Sequence, residues 1–111
     1  MQLALGDAEL RSRLRQLIAA DPVFLEWRVQ AVDRPDAEKA GVLVVDSEAL
    51  GRLPQPLPHP ERVVLITQRS PDELTRAWKA GIVSVVFVNE PLATTMLAIL
   101  AARYRSCISP V

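Results

Sequence analysis

The sequence predicts a doubly wound α/β fold with a five-stranded parallel sheet in the order 2-1-3-4-5. Three observations lead there. Short runs rich in β-branched residues alternate with helix-period segments along the whole chain. Those runs are almost continuously apolar, as strands covered on both faces must be. The connections are short, which favours right-handed crossovers between parallel neighbours. With 111 residues, half of them hydrophobic, the chain suits a single domain spanning 1–111.

The first strand is expected over Gln2–Leu5. A helix follows, because Leu10, Leu14, Leu17 and Ile18 fall on one stripe with Arg11, Arg13 and Arg15 mostly off it. Asp21-Pro22 ends it, since a residue before proline avoids the α region. Phe24–Val32 reads as the second strand, and Asp33–Lys39 leaves room for about two helical turns before Gly41. Val42–Val45 reads as the third strand.

The third helix is shortened. Ser47–Gly51 offers barely one turn before Leu53-Pro-Gln-Pro-Leu-Pro-His-Pro60, an extended polyproline-like stretch with few backbone donors. Val63–Thr67 is the fourth strand. Ser70-Pro71-Asp72-Glu73 then resembles a capping box with proline at the first helical position. Leu74 and Trp78 share a face of that fourth helix, and Gly81 supplies its left-handed stop. Val83–Val88 is the fifth strand. A last helix from Pro91 carries Leu92, Met96, Ile99 and Leu100 inward. The architecture is flavodoxin-like, and its functional crevice lies beyond the carboxyl ends of the strands, at Asp7, Asp46 and Thr67.

Composition excludes several classes. Thirteen basic and thirteen acidic residues cancel, so the basic excess or stripe of a nucleic-acid binder is missing. Cys107 is the one cysteine and His59 the one histidine, which leaves neither a disulfide framework nor a zinc ligand set. The start lacks a basic, long-cored export signal, and Leu92–Ala102 is too short and too polar to span a bilayer. A cytoplasmic domain is expected, with no membrane partner.

Order and spacing together resemble the receiver domain of bacterial response regulators, from Leu3 to about Arg103. Leu3-Ala-Leu-Gly-Asp7-Ala8 matches that family's first strand and acid pair. Val42-Leu-Val-Val-Asp46 matches the strand that ends in the phosphoacceptor, and Val63-Val-Leu-Ile-Thr67 the strand that ends in the switch hydroxyl. Ala77-Trp-Lys-Ala-Gly81 through Phe87-Val-Asn-Glu90-Pro91 matches the final helix, strand and loop. The resemblance implies Asp46 as phosphoacceptor position, Thr67 and Phe87 as switch positions, and weak Mg²⁺ at Asp7 and Asp46 with the carbonyl of Glu48.

Two departures oppose phosphorylation. Ala8 replaces the second acid, and Glu90 stands where the family carries lysine. Phosphoryl transfer needs its charge neutralised, and an ionised glutamate facing the pocket repels the group instead. The expectation is therefore a pseudo-receiver of a two-component or phosphorelay-type system. It would signal through other proteins or a fused effector domain, and would not be an enzyme. With nothing resembling an effector after the receiver-like span, it stands alone or opens a longer protein. The face of the fourth helix, fifth strand and last helix, carrying Arg76, Lys79, Glu90, Thr94, Thr95 and Arg103 around apolar residues, suits a protein or homodimer contact. Pro54–Pro60 is a second such surface.

Other readings stay open. A weakened but working receiver would be phosphorylated on Asp46 with Mg²⁺. A small flavodoxin-like enzyme or cofactor carrier is a third, though no glycine-rich phosphate loop follows the first strand. Asp7 and Asp46 also read as ordinary helix N-caps. Thr67 reads as a turn residue, and Phe87, Trp27 and Trp78 as packing residues.

Overall fold

The computed structural model describes residues 1–107, with side chains described as far as Arg105, so the side chain of Cys107 lies outside the described residues. Five parallel strands form one sheet in the order β2-β1-β3-β4-β5. They are β1 (Gln2–Ala4), β2 (Gln30–Ala31), β3 (Leu43–Asp46), β4 (Val63–Thr67) and β5 (Ser84–Phe87). The α-helices are α1 (Ala8–Ala20), α2 (Ser47–Gly51), α3 (Pro71–Lys79) and α4 (Leu92–Cys107). The flavodoxin-like topology expected from the alternation is present, with its shortened helix after β3.

Pleating divides the core in two. Leu3, Val44, Val64, Ile66 and Val86 face Leu14 and Ile18 of α1 and Ile99 and Ala102 of α4. On the other face, Ala4, Leu43, Val45, Val63 and Leu65 meet Ala49 and Leu50 of α2, Ala77 of α3, and Leu53 and Leu57. Those two leucines explain the proline stretch. Few backbone donors need satisfying there, so an extended chain can cover apolar surface without coiling. Pro54, Gln55, Pro56 and Pro58 stay exposed, so the stretch is anchored by alternate residues rather than free along its length.

Several expectations need correcting. No helix forms over Asp33–Lys39. The Asp36 carboxylate accepts from Glu38 N–H at 3.0 Å, an Asx turn. The Gln2 side-chain amide grips Asp36 from both sides, accepting from its N–H and donating to its carbonyl at 3.0 Å each. These bonds hold a turn where the length of the segment left room for a helix. The second strand is also far shorter than Phe24–Val32. Asp21 caps Val23 N–H at 3.0 Å and opens a 3-10 turn over Pro22–Phe24. Phe24 is buried and packs edge-on against Trp27, with ring centroids 4.7 Å apart.

At α3, Pro71 occupies the first turn as expected, but the Ser70 side chain makes no capping bond. Gly81 has φ +80° and supplies the left-handed stop. Ala77, not Trp78, is the buried residue, and Trp78 is 81% exposed. In α4, Ile99 turns inward with Thr95 and Ala102, while Met96 and Leu100 are only partly covered. Among the described residues, no helix is long and apolar enough to cross a membrane.

Candidate functional site

The carboxyl ends of β1, β3 and β4 place Asp7, Asp46 and Thr67 at one rim of the sheet. Asp7 is the N-cap of α1. Its Oδ1 accepts from Glu9 N–H at 3.0 Å and Leu10 N–H at 3.2 Å, which ties it to its own helix. Asp46 bridges two elements. Its Oδ1 accepts from Ala49 N–H at 2.8 Å, capping α2, and its Oδ2 accepts from Gly6 N–H, also at 2.8 Å. One carboxylate thus fixes the loop after β1 to the end of β3.

Thr67 is 3% exposed and shares a hydrogen bond of 2.7 Å between hydroxyls with Ser47. The strand register puts Asp46 opposite Ile66 and Thr67 opposite Phe87. Asp46, Thr67 and Phe87 therefore lie on three successive neighbouring strands. Phe87 is half-buried and carries the Arg69 guanidinium over its ring, 4.8 Å from the centroid, a cation–π contact.

Glu90 does not enter this arrangement. Its Oε1 accepts from Phe87 N–H at 3.0 Å. Val88 N–H donates to the Thr67 carbonyl on β4 at 2.9 Å, and amide directions alternate along a strand. The Phe87 N–H therefore points to the outer, unpaired side of β5, and the glutamate lies there with it. The sequence leaves the direction of Glu90 open, and this bond turns it away from the pocket, so the repulsion expected of a glutamate facing a phosphoryl group is absent there. The negative charge of Glu90 is folded onto the sheet edge.

A receiver-type Mg²⁺ site needs oxygen ligands converging on one point. Among the described residues, no group of three or more His, Cys, Asp and Glu side chains converges in that way. Asp7 Oδ1 is bonded into α1, and each oxygen of Asp46 holds a backbone N–H. As placed, these carboxylates orient backbone rather than gather with a third acid around an ion.

Two recesses flank Asp46. One, of about 390 Å³, opens towards α3 and is lined by Ser47, Thr67, Ser70, Glu73 and Val88. The other, of about 170 Å³, opens towards β2. Gly6 and Ser47 were not singled out from the sequence. Ser47 follows the β3 carboxylate directly, and that adjacency is the signal that could have found it. Nothing local marks Gly6, which lies forty positions from Asp46.

On the α3–β5–α4 side Arg76, Lys79 and Arg103 are exposed, as the expected contact face requires, and Thr95 is the exception. Thr95 is 2% exposed and belongs to the interior. Arg103 stacks on Trp27 at 4.6 Å, and Arg76 turns towards Glu73 at 3.5 Å. The exposed large apolar side chains on or beside these elements are Leu74, Trp78, Val83, Val88, Leu97 and Tyr104.

No protein-family model matches the chain, and no curated protein matches it.

Proposed function

We propose that this chain is a receiver-like signalling module that acts through protein contacts rather than through phosphorylation of Asp46. The observation that carries the reading is the Asp46 carboxylate, with each oxygen already accepting from a backbone N–H. A phosphoacceptor must present an oxygen to the incoming phosphoryl group with cationic help beside it. Here both oxygens hold backbone N–H groups, no cationic side chain among the described residues pairs with them, and the lysine position holds a glutamate folded away at the sheet edge. The carboxylate keeps a structural role while the switch chemistry lacks its parts.

The contact surface in this proposal is the α3–β5–α4 side. Trp78 is 81% exposed and Val83 69%, and aromatic anchors of this kind are enriched at the centres of interfaces. Lys79 lies beside them in sequence, and Arg76 lies one turn back on α3, giving the apolar centre a charged margin.

Amide NMR during titration with Mg²⁺ and then beryllofluoride tests the proposal, with Asp46→Asn as control. Unchanged spectra at Gly6, Asp46, Ser47 and Thr67 are the expected result. Saturable shifts at those residues, lost in Asp46→Asn, would overturn it in favour of a working receiver.

A further inference from the structure

The smaller recess beside Asp46 lies between the ends of β1 and β3, with the end of β2 alongside. Strand order reverses at this point, and open parallel sheets bind their ligands there. The volume, about 170 Å³, falls below the roughly 300–1,000 Å³ of sites for drug-sized ligands. Nucleotides and flavins are excluded by size.

Its charges narrow the choice further. Five ionisable side chains line the recess: Arg11, Asp33, Asp46, Glu48 and Arg52. Glu48 and Arg52 neutralise each other at 2.6 Å. Asp46 is held between two backbone N–H groups. Those hydrogen bonds orient its charge without cancelling it, and Arg11 and Asp33 are the two other charged groups left without a bonded side-chain partner among the described residues. The half-buried Arg11 donates to the Leu5 carbonyl at 3.0 Å and, among the described residues, pairs with no carboxylate. The Asp33 carboxylate accepts no hydrogen bond from any described residue. Leu5, Val32 and Ala49 supply an apolar wall between them.

The geometry points to a binding site for a small zwitterion, an α-amino acid with a short side chain. Arg11 takes its carboxylate, because a guanidinium fork matches two carboxylate oxygens. Asp33 takes its ammonium group, and the apolar wall receives the side chain. Asp33 is exposed, so solvent screens its pairing with the ammonium group and binding is weak. The site is independent of the reading of Asp46 as an idle phosphoacceptor.

Amide NMR titration at constant ionic strength with glycine, L-alanine and L-serine tests it, with acetate and methylammonium as probes that carry one charge each. Saturable shifts at Gly6, Arg11 and Asp33 are expected with the amino acids and not with either single-charge probe. Asp33→Asn and Arg11→Gln should each weaken binding about tenfold or more, the scale of one lost charge-assisted hydrogen bond. The Asp33 side chain has no structural bond to lose, so that variant keeps the test sound if Arg11→Gln unfolds. Absence of saturable shifts, equal binding of acetate, or unchanged affinity in Asp33→Asn would each overturn the proposal.

Discussion

The carboxylate of Asp46 and the backbone N–H of Gly6 meet at 2.8 Å, joining the end of β3 to the loop that opens α1. The same carboxylate caps α2 through Ala49. Asp46→Ala therefore removes a helix cap and leaves the Gly6 donor without its partner, an expected loss of about 2–3 kcal/mol in urea unfolding. Asp46→Asn keeps one carbonyl oxygen as acceptor, so its loss should be no more than about half as large. Equal stability of Asp46→Ala and the parent chain would show that the bridge contributes nothing.

Glu90 makes a sharper case. Since it caps the outward Phe87 N–H, restoring the family's lysine with Glu90→Lys should not create a phosphoryl site. Beryllofluoride should leave the spectrum of that variant unchanged, while its stability falls by about 0.5–1.5 kcal/mol from the lost cap. Clustered shifts at Asp46 and Thr67 in Glu90→Lys would contradict the placement.

The Met1 amine donates to the Arg28 carbonyl at 2.6 Å. Its pKa is lowered from 8.0 by burial first, then by the nearby charges of Lys39 and Arg103. Below the folded-state pKa both states are protonated and the penalty on folding is complete. Between that value and 8.0 the unfolded chain binds more protons, so stability rises with pH and levels off above 8.0. Denaturant melts across this window should show the rise in the free-amine chain and none in an N-acetylated one.

Two glycines and two leucines separate conformation from packing. Gly81 has φ +80°, and a Cβ there would lie 3.3 Å from Pro60; Gly81→Ala should cost more than about 1 kcal/mol. Gly51 has ordinary backbone geometry, with only the Arg76 side chain nearby, and its replacement by alanine inside α2 should be neutral or stabilising. Leu14→Ala, at a fully buried position, should cost about 2–5 kcal/mol, whereas Leu25, 82% exposed, should change stability by less than about 0.5 kcal/mol.

Trp78→Glu addresses the contact surface. Its stability should stay within about 0.5 kcal/mol of the parent, because the side chain is exposed. Self-association or partner binding through the α3–β5–α4 side should fall with it, as sedimentation or light scattering will show. A large loss of stability without any change in association would place Trp78 in a packing role after all.

Much of the fold was legible because buried parallel strands write themselves as apolar runs. Val63–Thr67 agrees at both ends, and β3 is displaced by one residue. The misreadings come from contacts that composition does not show, some distant and some local. Asp33–Lys39 has helical length, yet Gln2 holds its backbone in a turn from thirty-four positions away. Phe24 to Val29 looks strand-like in composition, but Phe24 and Trp27 satisfy each other in a local knuckle. Trp78 shares a stripe with Leu74, and Ala77 turned out to face the core. At the site, strand ends located Asp46 and Thr67. The direction of each carboxylate depended on N–H groups that residue types do not reveal.

The placement of β1 has a mechanical consequence. Two of its residues pair with β2 on one side and all three with β3 on the other, so the start of the chain lies inside the sheet rather than at its border. A force applied at Met1 would load ladders on both flanks together, and yielding there would split the sheet rather than peel an edge. Losing the first few residues would cut out a keystone, while the same loss from an outer strand would only shorten a fringe.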